Sequence, residues 1–239
     1  MTGELGGARS PALPPDALVL VPVGSIEQHG PHLPLDTDTA IAEAVTRQVA
    51  ERLRSADVLL APAITYGASG EHQMFPGTSS IGTEALHQVL VELTRSLRTW
   101  CGRVVFVNAH GGNVAALTSA VGQLVAEGHD VAWVACATED VDAHAGRTET
   151  SLMLHLRPGA VRLDLAEAGN TRPVGELLPA LVAGGVGAVS PNGVLGDPAG
   201  ASADEGERVL RQMAADIAAA VRGGAPDQHG RLRLMGVVR

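Results

Sequence analysis

Four short runs, ALVLVPV (17–23), DVLLAPA (57–63), RVVFVN (103–108) and DVAWVACA (130–137), are hydrophobic at nearly every position and have no polar face to turn toward water. A strand of that kind has to be covered on both sides. The cover lies between the runs: residues 39–54 place Ile41, Ala44, Val45, Val49 and Leu53 at helical spacing, residues 83–99 do so with Leu86, Val89, Leu90, Leu93 and Leu97, and residues 113–127 repeat the pattern. This alternation predicts an α/β fold, a single domain with a mainly parallel β-sheet flanked by helices. Ligand sites in such sheets gather at the carboxyl ends of the strands, so chemistry is expected just past each run. Residues 1–15, rich in Gly and Pro and without periodicity, read as an irregular leader, and 16–222 as the domain. The domain closes with a Gly-rich segment (183–206) and a helix from about Glu207 to Val221, and residues 223–239 read as a loosely held tail.

Composition removes whole classes of function. A chain of 239 residues that is 45% hydrophobic can close one large core, and its net charge of -9 repels nucleic acid and anionic membrane alike. All 17 basic residues are arginine, which excludes Schiff-base and P-loop lysine chemistry. Tyr66, Phe75, Trp100, Phe106 and Trp133 are the whole aromatic complement, too few for a base-stacking or carbohydrate-stacking platform. Cys101 and Cys136 belong to no CxxC pattern and read as small buried hydrophobes, in keeping with a reducing cytoplasm. No apolar run approaches 18 residues and no signal-peptide pattern opens the chain, so a cytoplasmic protein without a membrane partner is expected.

Metal-ligand residue types crowd three of the four strand ends. GSIEQHGPHLPLDTD after the first run brings Glu27, His29, His32, Asp36 and Asp38 within a dozen residues. Glu27 and His29 share one side of an extended segment, and Asp38, just before a helix, can fold back to join them. VNAHGGN after the third run adds His110, with Asn113 expected to cap the next helix, and DAHAGRTETS after the fourth adds Asp142, His144 and Glu149. A His/carboxylate site without thiolate suits zinc, iron(II) or manganese, and a carboxylate flanked by ligands can bridge two ions. Asp36 and His32 are equally readable as a helix cap and a hydrogen-bonded loop residue, and His87, His129, His155 and His229 as structural or solvent-facing. Ser69, Glu71 and His72, in the Gly-rich loop after the second run, are candidates for lining a substrate pocket.

PVGSIEQHGPHLPLDTD, NAHGGN and HAGRTETS together resemble the creatininase family of metal-dependent amidohydrolases over residues 17–221. The resemblance implies a parallel-sheet α/β fold, homo-oligomers that are often hexamers, and two divalent metal ions per subunit serving hydrolysis of C–N amide bonds. By position, Glu27 and His110 would bind one ion and His29 the second, with Asp38 between them. Creatininase itself supplies a further glutamate two residues after the third-strand histidine. That place is Gly112 here, and Glu149 is assigned the missing carboxylate. His144 matches the family's proton-transfer histidine. YGASGEHQMFPGTSSIGTEAL (66–86), HAGRTETSLMLHL and SPNGVLGDP (190–198) are similar to the family's peptidase branch in the mycofactocin system. That similarity implies a modified precursor peptide as substrate, cut before its carboxyl-terminal Val-Tyr dipeptide. A family member acting on a small cyclic amide or formamide is the alternative, and a noncatalytic metal-dependent chaperone for the precursor is a third reading.

Overall fold

The computed structural model describes residues 3–55, 57–137 and 142–234. Each of the four runs forms a strand: β2 (Leu18–Val23), β3 (Val58–Leu60), β4 (Arg103–Asn108) and β5 (Val131–Ala135), joined by a two-residue β1 (Gly3–Glu4). All pairs are parallel in the order β1-β3-β2-β4-β5, with Leu18 opposite both Val58 and Arg103. Alternate residues face opposite helical layers, as the period of two requires. Leu20, Val105, Val107, Ala132 and Val134 pack under α1 (Thr37–Leu53), α4 (Arg147–Leu156) and α6 (Ala203–Gly223). Val19, Val21, Val104, Phe106 and Trp133 pack under α2 (Gly82–Leu97) and α3 (Val114–Ala126). The chain leaves β2 toward β3 on one side and returns to β4 on the other, so the carboxyl ends of β2 and β4 open a crevice between diverging connections.

The two ends of the chain are more ordered than their composition suggests. Gly3 and Glu4 pair with Leu59 and Leu60, and Leu5 and Leu13 pack against the sheet, so the leader covers the outer edge of β3. At the far edge, the Trp133 amide donates to the Gly230 carbonyl at 2.9 Å and the Leu232 amide to the Trp133 carbonyl at 2.8 Å, with Leu232 buried. Order in both segments comes from backbone groups that an open strand edge leaves unpaired, a demand that leaves no hydrophobic period to read. Residues 1–2 and 235–239 of the leader and tail lie outside the described residues. The Gly-rich stretch also differs from expectation: α5 (Val174–Val189) begins well before it and is broken at Gly185, whose φ of 69° is a left-handed value that a side chain would disfavour. No helix among the described residues is long and apolar enough to cross a membrane.

Candidate metal centre

Each strand end delivers its group for a local reason. Glu27 and His29 follow β2 in an extended segment, and the His29 Nδ1–H donates to the Glu27 carbonyl at 3.1 Å, which turns Nε2 inward. Asp38 lies in the first turn of α1, where the helix N-terminus favours a carboxylate. His110 follows β4, and His144 and Glu149 lie before and on α4. Asn113 does not cap α3. Its amide instead accepts from Ala68 N at 2.8 Å and donates to Gly24 O at 2.9 Å and Asn108 Oδ1 at 3.1 Å, tying three strand ends together. A buried amide with three backbone and side-chain partners beside it gains more there than at an exposed helix end.

The groups converge in three trios, buried except at Glu149. Glu27, Asp38 and His110 form one, with His110 Nε2 at 3.2 Å from Glu27 Oε2 and Nδ1 at 3.3 Å from Asp38 Oδ2. His29, His144 and Glu149 form another, with His29 Nε2 at 3.8 Å from Glu149 Oε2. Asp38 lies between them, because its other oxygen, Oδ1, is 3.2 Å from His29 Nε2 while the Ser25 hydroxyl donates to Oδ2 at 2.6 Å. Glu27, His72 and His144 make a third trio, with Glu27 Oε1 at 3.3 Å from His72 Nε2 and 3.7 Å from His144 Nδ1.

Both Glu27 carboxylate oxygens are fully buried without a hydrogen-bond partner. An ionised carboxylate so placed needs a cation, and the surrounding imidazole and carboxylate donors fit a divalent ion of the zinc, iron(II) or manganese type. The titrations express the same demand. Burial raises the Glu27 carboxyl, but His110 and His72 together outweigh it and hold the group at about 2. Burial lowers His29, yet Asp38 and Glu149 push it up to about 10, and Glu27 and Asp38 likewise hold His110 well above its ordinary value. Burial drives His144 well down and His72 to about 4, while it raises Glu149 to about 7.

The loop candidates divide. His72 is buried and turned onto Glu27. Glu71, with its carboxyl raised by burial, is partly exposed at the rim, 3.6 Å from His110 Nε2. Ser69 is fully buried, its hydroxyl 3.4 Å from His110 Nε2, so it stands behind that ring rather than on a pocket wall. A cavity of about 420 Å³ opens above them, floored by Glu71, His72, His110 and His144 and walled by Leu178, Leu181 and Leu195. At Gly112 an added Cβ would lie 2.3 Å from the Ala68 carbonyl and 2.4 Å from Glu71 Oε1, so no carboxylate can reach the centre from that position without moving the backbone.

Other charged residues in the motifs serve structure. Asp142 accepts the Thr148 amide at 3.1 Å at the start of α4, Asp36 pairs with Arg157 at 2.6 Å, and buried His32 meets the Thr150 hydroxyl at 2.9 Å. Gln28, unremarked within the first motif, places its amide between His72 and His144. The signal that could have found it is a carboxamide flanked on both sides by candidate ligands.

Known proteins share this arrangement of fold and motifs. The chain is 54% identical to the mycofactocin precursor peptide peptidase of Mycobacterium tuberculosis (strain CDC 1551 / Oshkosh), over 97% of its own length and 96% of that protein's. Among solved structures, one described as creatininase Mn superposes with a TM-score of 0.72 at 27% identity, covering 93% of this chain and 98% of the other. A glutamate-to-glutamine creatininase variant of Zn-Zn type gives 0.68 at 28% identity, covering 87% and 90%. The family profile for creatininase, creatinine amidohydrolase, matches residues 9–221, a span holding every residue of the three trios. On that match, with a parallel-sheet fold shared with solved creatininases, the chain belongs to the creatininase family.

Proposed function

We propose that this protein is a metal-dependent peptidase that hydrolyses the amide bond preceding a modified carboxyl-terminal Val-Tyr dipeptide of the mycofactocin precursor peptide, a step in making that redox cofactor. The observation that carries the reading is 54% identity to a precursor peptide peptidase along nearly the whole of both chains. The buried Glu27 carboxylate, without a hydrogen-bond partner and common to two of the trios, supports a hydrolytic metal centre.

In this reading Glu27, Asp38 and His110 would hold one divalent ion, and His29, Asp38 and Glu149 would hold a second. Ions of this kind supply Lewis acidity and activate water at neutral pH. The chain's own groups do the rest. His144, whose Nδ1 faces Glu27 and the cavity floor, takes the proton that the attacking water releases and passes it to the departing amine. Burial holds its proton affinity well below that of an ordinary imidazole, so the ring rests neutral and ready to take that proton. Glu71 and His72 line the approach, and Leu178, Leu181 and Leu195 give it an apolar wall. The working unit is a homo-oligomer of cytoplasmic subunits, a hexamer by family resemblance, and light scattering of the purified protein measures that.

Mass spectrometry of the modified precursor incubated with metal-loaded protein tests the function. Loss of the terminal dipeptide, with creatinine left untouched, is the expected result. Turnover of creatinine or a formamide with an intact precursor would move the protein to the small-amide branch of the family.

A further inference from the structure

The Gln28 side chain is almost fully buried, and four neighbours compete for its amide. Gly30 N is only a donor and lies 2.8 Å from Gln28 Oε1, while Gly193 O is only an acceptor and lies 3.0 Å from Nε2. These two contacts fix which end of the amide is which and use one of its two N–H groups. The second N–H has two rings within reach, His72 Nδ1 at 2.8 Å and His144 Nε2 at 3.1 Å. His144 Nε2 also lies 2.8 Å from the Gln28 backbone carbonyl, an acceptor that only an Nε2–H can satisfy. That nitrogen is therefore a donor, and the remaining amide hydrogen goes to His72 Nδ1, which has to be bare. His72 then carries its proton on Nε2, facing Glu27 Oε1 at 3.3 Å, and His144 presents Nδ1 to the same oxygen at 3.7 Å. The fit around the amide is tight: an added Cβ on Gly193, at φ 81°, would lie 1.9 Å from Gln28 Oε1.

We propose that Gln28 is a positioning residue that sets the tautomers of two histidines at once, turning the protonated Nε2 of His72 toward Glu27 and leaving the Nδ1 of His144 bare. One residue thereby gives two neighbouring rings opposite roles toward one carboxylate. The Nε2–H of His144 is held by the Gln28 carbonyl at 2.8 Å. The kinetic part of this inference rests on the hydrolytic reading above, and the tautomers do not.

The test is a long-range proton–nitrogen correlation spectrum of the full chain labelled with nitrogen-15 histidine, with the rings assigned from His72→Gln and His144→Gln variants. The wild-type protein should show both rings protonated at Nε2 and bare at Nδ1. Gln28→Glu, which keeps the shape but replaces the amide donor by an acceptor, should move the His72 proton to Nδ1 and leave His144 unchanged. Turnover at saturating metal should fall about 10- to 100-fold, the usual cost of losing an orienting partner. A wild-type spectrum with His72 protonated at Nδ1 would overturn the proposal whether or not the variant folds. So would a folded Gln28→Glu protein with both tautomers, or full turnover, retained. If wild-type protein leaves the precursor uncut, the functional reading fails and the spectra still decide this one.

Discussion

The two sides of the centre, which meet at Asp38, are built differently. Glu27, Asp38 and His110 come from three separate elements and are tied to one another, with His110 bridging both carboxylates at 3.2 and 3.3 Å. His29 and Glu149 are 3.8 Å apart and are held mainly from outside, His29 by the Glu27 carbonyl at 3.1 Å and Glu149 by the Ala145 amide at 2.6 Å. Glu149 also keeps 18% of its side chain exposed, whereas Glu27 keeps none. The first set is thus fixed by the sheet itself, and the second depends on where α4 presents its first turn. In an α/β scaffold, ligands at strand ends inherit the rigidity of the sheet, and a ligand on a later helix can be moved independently.

The largest effect should come from removing what the two sets share. Asp38→Ala is expected to lose more than one equivalent of bound metal and essentially all cleavage, measured by elemental analysis of folded protein. Full metal content would separate the two sets and end the bridging role. His144→Ala probes the group that touches both sides. It should keep both ions and most peptide affinity while turnover falls about a hundred- to ten-thousand-fold, the range for a positioned proton donor. Loss of a metal would make His144 a ligand of the looser set instead. Glu149→Gln sharpens the contrast: calorimetric titration should show the second equivalent weakened and the first unchanged, and equal weakening of both would mean that the sets are not separable.

The smallest effect is in the pH dependence of metal uptake. His110, held well above its ordinary value, and His29, at about 10, each give up a proton when they ligate. Glu27, at about 2, and Asp38, held well below its ordinary value, are already ionised. Glu149, at about 7, must give up one more proton on the acid side of that value. Below pH 7 the affinity of the second set should therefore fall about 100-fold per unit of pH and that of the first about 10-fold, and above pH 7 the two slopes should agree. Equal slopes on the acid side would show that Glu149 is no ligand.

Most of this architecture is written in patterns that can be read. Strands buried on both faces and helices with one apolar stripe leave periods in the chain, and β2 to β5 and α1 to α3 lie within a few residues of where those periods end. The ligand types were legible because charged side chains crowd the ends of apolar strands, where solvation alone gives no reason for them. What stayed hidden has no period. The leader and tail are ordered by strand-edge backbone, Asn113 reads as a cap because its tertiary partners are 5, 45 and 89 residues away, and Ser69 reads as loop until its neighbours bury it. Gln28 is the clearest case, since its role depends on Gly193 and His144, which lie more than a hundred residues further along.

The division of the centre at Asp38 is open to a crystal structure of metal-loaded protein with anomalous difference maps recorded at the metal edge. Two peaks are expected, one among Glu27, Asp38 and His110 and one among His29, Asp38 and Glu149, with one Asp38 oxygen on each at about 2.0–2.2 Å. A single peak, or two peaks with Asp38 on only one of them or Glu149 turned away from both, would contradict it.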